Sequence, residues 1–125
     1  MKRKKALVPL GETEMEVLHV VWAAGESTVA DVHERLSAER KLAYTTVMTV
    51  MKNLATKGYL TARRDGVRDH YRAAQAPEAV RGSLLRDIIG SAFDGSPLSL
   101  VQTLVRSENL SDAERAEIRR LLEDL

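Results

Sequence analysis

The side chains best suited to chemistry lie in one stretch, Tyr44-Thr45-Thr46-Val47-Met48-Thr49-Val50-Met51-Lys52-Asn53-Leu54-Ala55-Thr56-Lys57-Gly58. Val47, Val50, Met51 and Leu54 recur at i, i+3, i+4 and i+7, the spacing of a buried helix stripe. On the opposite side, at about 100° per residue, lie Thr45, Thr49, Lys52 and Thr56, with Met48 on the flank. That outward face offers hydroxyls, one ammonium, methyls and a thioether, but no carboxylate. Such a face suits an anionic surface with apolar features. Threonine hydrogen-bonds a base edge or a phosphate and touches a thymine methyl, and lysine reaches a phosphate or a guanine. From this stretch alone, a solvated helix rich in threonine is the competing reading.

The distribution of charge sharpens the choice. Net charge over the 125 residues is only +1, yet residues 12–39 carry one basic and seven acidic groups while residues 40–75 carry eight and two. Residues 76–125 hold six basic and nine acidic groups. Positive charge is thus concentrated on the threonine-rich helix and the segment just after it, the pattern of a nucleic-acid binder. The length fits one domain, or one small domain with an appendage.

Other chemistries have little support. The sequence has no cysteine, which removes disulfides, thiolate metal sites and a cysteine nucleophile. His19, His33 and His70 fall on separate predicted elements, and His33-Glu34 is not succeeded by a second histidine at metalloprotease spacing. There is no phosphate-cradling glycine loop and no serine elbow. Asp65 and Asp69 read as ordinary turn composition. No enzyme activity, cofactor or metal is expected. No apolar run approaches the ~20 residues of a bilayer span, and the basic start leads into too short an apolar stretch for a signal peptide. Membrane insertion is therefore not expected, and the expected address is cytoplasmic.

The elements that must position the stretch are set by the same pattern. Residues 1–9, with four consecutive basic side chains at 2–5, read as an N-terminal arm, either simply solvated or adding nonspecific phosphate attraction. Glu12 to Ala24 reads as a helix with three early acids, an apolar stripe of Met15, Leu18, Val21 and Trp22, and Gly25 as its stop. Thr28 and Asp31 form a capping box for a short second helix to about Ala38, with Val29, Val32 and Leu36 facing inward. A polar connector then leads into the threonine-rich helix, giving a helix-turn-helix pattern. After Gly58, Tyr59 to Arg64 alternates with period two, Asp65-Gly66 marks a turn, and His70 to Ala73 returns. This hairpin, with Arg63, Arg64, Arg68 and Arg72 around its tip, reads as a wing whose arginines straddle a backbone or enter a minor groove; a solvated charged hairpin is the alternative.

From Ala76 the character changes. Pro77 opens a helix with a broad stripe of Val80, Leu84, Leu85, Ile88, Ile89 and Ala92. Ser96-Pro97 starts another, with Leu98, Val101, Leu104 and Val105 on one side. Ser111 and Glu114 cap a last helix, lined by Ile118, Leu121, Leu122 and Leu125. So short a segment rarely buries enough surface alone. Two copies sharing one core, a twofold dimer, is the economical solution, with a further helical layer on the first domain as the alternative. The predicted architecture is mainly α with a small β-hairpin wing. A winged helix-turn-helix domain spans 10–75 and a helical dimerisation region spans 76–125. In that region Leu84, Ile88, Val101, Leu104, Ile118, Leu121, Leu122 and Leu125 are the expected contacts.

On these residues the chain resembles the penicillinase-repressor family of winged-helix regulators (BlaI and MecI, with the copper-responsive CopY branch). The resemblance is carried by Leu10-Gly11-Glu12-Thr13-Glu14-Met15-Glu16-Val17-Leu18 with Trp22, and by Thr28-Val29-Ala30-Asp31-Val32-His33-Glu34. Ala43-Tyr44-Thr45-Thr46-Val47-Met48-Thr49-Val50 and Leu54-Ala55-Thr56-Lys57-Gly58-Tyr59-Leu60 continue it. It implies a homodimeric transcriptional repressor on a palindromic operator of double-stranded DNA. It also implies that Thr46 and Thr49 meet base edges, with Tyr44, Thr45 and Met48 beside them. In the β-lactam-responsive members a membrane sensor-protease pathway cuts an Asn-Phe bond in the dimerisation region. Here Thr103-Leu104 stands at the matching position, the candidate cleavage site. The copper branch has a cysteine-rich tail, which this chain lacks. A winged helix that docks proteins without binding DNA is the rival function, since fold alone does not settle function.

Overall fold

The computed structural model describes residues 10–124. The basic arm expected over residues 1–9, and Leu125 of the expected dimer face, lie outside the described residues. The elements run α1 (Glu12–Ala24), β1 (Glu26–Ser27), α2 (Val29–Ser37), α3 (Tyr44–Thr56), β2 (Leu60–Asp65), β3 (Arg68–Ala73), α4 (Pro77–Ala92), α5 (Pro97–Ser107) and α6 (Asp112–Glu123). They fall into two compact units, one ending at Leu85 and the other beginning at Arg86, so the division lies within α4.

In the first unit, α1, α2 and α3 close on a core of Val17, Leu18, Val21, Val32, Leu36, Val47, Met51 and Leu54. Tyr59, Leu60 and Tyr71 of the hairpin and Val80 of α4 complete it. Leu18 and Val21 of the stripe expected on α1 are fully buried, and the core adds Val17 to them. Val17 is fully buried, whereas Met15 and Trp22 are half-buried against the core. The Arg81 guanidinium lies 5.8 Å from the Trp22 ring centroid, over an indole packed against the core. Val50 of the α3 stripe is likewise half-buried.

Helix starts are set locally. The Thr28 hydroxyl accepts from the Asp31 amide at 3.2 Å, and the Asp31 carboxylate accepts from the Thr28 amide at 3.0 Å. At α1 the Gly11 amide donates to Glu14 Oε1 at 2.9 Å.

The wing is a three-stranded antiparallel sheet in the order β1-β3-β2. β2 and β3 pair from Leu60 opposite Ala73 to Asp65 opposite Arg68, leaving Gly66-Val67 as a two-residue loop. Gly66 has φ 65°, which suits a glycine at the first central position of a tight hairpin turn. β1, between the Gly25 stop of α1 and the Thr28 cap of α2, pairs Glu26 with Arg72 and Ser27 with Tyr71. Two residues give no periodicity to read, so only the partner strand makes them β.

In the second unit, α4 ends where the Ile89 carbonyl accepts from Phe93 and Gly95, through left-handed Asp94 (φ 53°) and Gly95 (φ 81°). The Ser96 hydroxyl accepts from the Ser99 amide to open α5, and Ser111 with Glu114 forms the expected capping box of α6. None of the described residues of this unit is buried. Leu121 and Leu122 are 58% and 67% exposed, and Leu98, Val101, Leu104 and Val105 are exposed too. Ile118 is half-buried and Ile88 exposed, whereas Leu84, on the first unit, packs against that unit's core.

Candidate nucleic-acid interface

Between α3 and the wing runs a groove of about 280 Å³. From α3 it is lined by Tyr44, Met48 and Lys52, spaced i, i+4 and i+8; from the wing come Arg64, Val67 and Arg68. Thr28, Val29 and Ala30 at the start of α2 close it, with Asp69 and Tyr71 below. Burial raises the Tyr71 phenol above its ordinary value, with the Asp69 charge adding to it, so its hydroxyl stays protonated. The structure thus brings Tyr44, Met48, Lys52, Arg64 and Arg68 together from the set singled out in the sequence. It adds Val67, which is 87% exposed at the wing tip. A valine beside a turn glycine gives no signal of function until the sheet places it.

Thr45, Thr46 and Thr49 are exposed on α3. The Thr49 hydroxyl donates to the Thr45 carbonyl at 3.0 Å, which leaves its oxygen as an outward acceptor beside its methyl group. Thr56 does the same with Lys52 at 3.1 Å. The Thr46 hydroxyl has no hydrogen-bond partner among the described residues. α3 begins at Ala43, which offers no side-chain cap, and no acid stands in its first turn. The positive end of its dipole is therefore offset by no acid of its own first turn.

Arg63 goes elsewhere. Alternation puts it on the opposite sheet face from Arg64, paired across from His70. Its guanidinium meets Glu26 Oε1 at 2.8 Å and Asp65 at 4.0 Å. The hydrogen bond from Arg63 holds the Glu26 carboxyl below its ordinary range, and the same bond raises Arg63 further. His70 stands between the two acids, each ring nitrogen 3.7 Å from a carboxylate oxygen. Arg64 lies along the wing, donating from Nε to the Gly66 carbonyl at 3.1 Å and approaching Asp69 at 3.4 Å.

Two further cations of the basic stretch are engaged with α1. Lys57 Nζ bonds both oxygens of Glu14, at 2.8 and 2.7 Å, tying the end of α3 to the start of α1. Burial opposes ionisation of Glu14, but the Gly11 amide and Lys57 outweigh it and the carboxyl lies below its ordinary value. Arg40 reaches Thr13 and Glu16 at 2.9 and 2.7 Å. Of the basic groups in residues 40–75, the groove therefore presents Lys52, Arg64 and Arg68.

Among the described residues no cluster of three or more histidines or acids is placed to hold a metal ion. No helix of the described residues is long and apolar enough to cross a membrane.

The penicillinase repressor family model matches residues 10–124. The chain belongs to that family. Among the members of the penicillinase repressor group, the transcriptional regulator BlaI of Mycobacterium tuberculosis is 36% identical over 121 residues, covering 95% of this chain and 86% of that protein. The methicillin resistance regulatory protein MecI of Mammaliicoccus sciuri is 23% identical over 113 residues, covering 90% and 92%. The solution structure of the Bacillus licheniformis BlaI monomeric form, in complex with the blaP half-operator, superposes with TM-score 0.50 at 22% identity. It covers 58% of this chain and 88% of that one. That last likeness is one of fold, and the winged helix-turn-helix expected from the sequence is what the chain forms.

Proposed function

We propose that the chain is a DNA-binding transcriptional repressor that acts in the cytoplasm as a homodimer on a palindromic operator. One observation carries this reading. The acid-free face of α3 and two wing arginines line the same groove, while Glu14, Glu16 and Glu26 are engaged with Lys57, Arg40 and Arg63. The mycobacterial BlaI and the MecI relative are regulators, and the BlaI of B. licheniformis was solved on a half-operator.

In this reading α3 lies in a major groove. Thr46 and Thr49 meet base edges, Tyr44, Thr45 and Met48 flank them, and Lys52, Arg64 and Arg68 hold phosphates. Thr49, its hydrogen already donated, accepts from an adenine or cytosine amine and sets its methyl against thymine. Arg63 braces the wing from its far face. The dimer rests on α5 and α6, whose apolar side chains are half-buried or exposed in the single chain and none fully buried. It brings two groove-lined faces to half-sites one helical turn, or a multiple, apart. Derepression by a sensor-protease pathway would act on α5, where Thr103-Leu104 lies in the second half of the helix and is exposed in the single chain. No catalytic step is assigned to the chain.

An electrophoretic mobility assay against a twofold-symmetric sequence from the chain's own promoter tests the reading. Retardation at low salt that fades with added salt is expected. No retardation at low salt refutes DNA binding and favours a protein-docking winged helix.

A further inference from the structure

His33 is a histidine that neither a metal nor the wing explains. It sits half-buried on α2, and its Nε2 donates to the Leu42 carbonyl at 2.8 Å. Its ring also meets the Tyr44 ring edge-on, with centroids 5.7 Å apart and planes at 72°. Both contacts fall where α3 begins, at a helix start with no side-chain cap of its own. The connector over 38–43 is otherwise anchored by Arg40 on α1 and by the half-buried Leu42 side chain. Tyr44 is 48% exposed and heads the Tyr44-Met48-Lys52 row of the groove.

We propose that His33 is the positioning residue of the reading helix. It fixes the peptide from which α3 starts and sets the Tyr44 ring in the groove, without touching DNA itself. The inference rests on the DNA-binding function and deepens it. An imidazole suits this place because one flat ring supplies an N–H to a carbonyl and an apolar edge to a phenol. Glutamine supplies only the first and phenylalanine only the second. The carbonyl can only accept, so Nε2 must carry a hydrogen. The neutral Nε2–H form and the imidazolium both do, so the bond survives either protonation state.

The test uses the full chain and two duplexes: one selected by the unmodified chain from a random-sequence library, and a scrambled duplex of equal composition. Fluorescence anisotropy at fixed salt gives the affinities. His33→Ala is expected to weaken the selected duplex about 3- to 10-fold, the scale of one net hydrogen bond. Scrambled DNA should change less than about twofold, because the phosphate contacts that dominate it are intact. His33→Gln and His33→Phe should each recover part of the loss. The effect should also shrink in a Tyr44→Ala background. Equal loss on both duplexes, or the same loss with and without Tyr44, overturns the proposal.

A DNA-free measurement separates the positioning role from DNA binding itself. In NMR spectra of the free chain, the Tyr44 ring resonances should move in His33→Ala and return partway in His33→Phe. Unmoved resonances overturn the positioning role even if DNA binding stands. Moved resonances in a chain that binds no duplex at low salt refute DNA binding instead.

Discussion

Counting cations in the sequence and counting them in the structure give different salt dependences, and the difference is large enough to measure. Residues 40–75 contain eight basic groups. Four of them are ion-paired: Arg40, Lys57 and Arg63 with Glu16, Glu14 and Glu26 at 2.7 to 2.8 Å, and Arg64 more loosely with Asp69 at 3.4 Å. The groove itself presents Lys52, Arg64 and Arg68. Each neutralised phosphate contributes about −0.9 to the slope of log K against log salt. Three contacts per subunit in a dimer give roughly −5, whereas all eight would give roughly −14. Between 50 and 200 mM salt, a slope near −5 is a loss of about three orders of magnitude in affinity. Anisotropy titrations of the selected duplex across that range measure it directly. Arg64→Ala should flatten the dimer's slope by about 2 and weaken all sequences similarly, while Arg63→Ala should leave it unchanged. A slope steeper than about −9, or equal flattening by the two substitutions, would refute the division of cations drawn from the ion pairs.

Thr49→Ala removes one acceptor and one methyl from the reading face. It should relax base preference by about 1 kcal/mol without altering the salt slope, which a selection experiment and a titration check together. Leu121 is 58% exposed in the single chain. Burying the remainder in both copies is worth roughly 2 to 3 kcal/mol, so Leu121→Asp should weaken the dimer at least about thirtyfold in sedimentation equilibrium; persistent dimers would move the interface elsewhere. Glu14, Asp31 and Glu26 have carboxyls held below their ordinary values. Groups shifted that way stabilise the fold above the unfolded-state value, and the contribution is lost as pH falls through the lower folded-state value. The melting temperature should therefore be insensitive to these groups from about pH 7 to 5 and drop below about pH 4.5, with Glu14→Gln blunting the drop. If Glu14→Gln left the acid limb unchanged, its pairing with Gly11 and Lys57 would not be what acid removes.

The parts legible in the sequence are those with a local cause. Thr28-Asp31 and Ser111-Glu114 set helix starts within four residues, and the Val47-Val50-Met51-Leu54 stripe fixes which side of α3 is free. What escapes a reading of the sequence depends on residues far apart in the chain. β1 becomes a strand only because Arg72 and Tyr71 lie opposite it. Arg63 and Arg64, adjacent in sequence, part company because a strand sends neighbours to opposite faces and Glu26 waits on one of them. The charge arc over 40–75 is visible in the sequence, but the share of it consumed by α1 is not, since Glu14 and Lys57 stand 43 positions apart.

These long-range pairs also fasten α3, whose start has no side-chain cap. α3 is fastened at its beginning by His33 on Leu42 and at its end by Glu14 on Lys57, one clamp from α2 and one from α1. Its buried side is locked by Val47, Met51 and Leu54. Both clamps use groups that do not line the groove, and of the α3 side chains that do, Tyr44 also packs on His33. The helices after Arg86 have no such fastening within their unit, where no described residue is buried. In the proposed dimer, ordering α5 and α6 and joining two subunits become one event, with the apolar burial that stabilises the helices supplied by the second copy. Operator occupancy then depends on subunit concentration as well as on the groove. In the proposed dimer, a cut that interrupts α5 would release DNA without touching a residue that lines the groove.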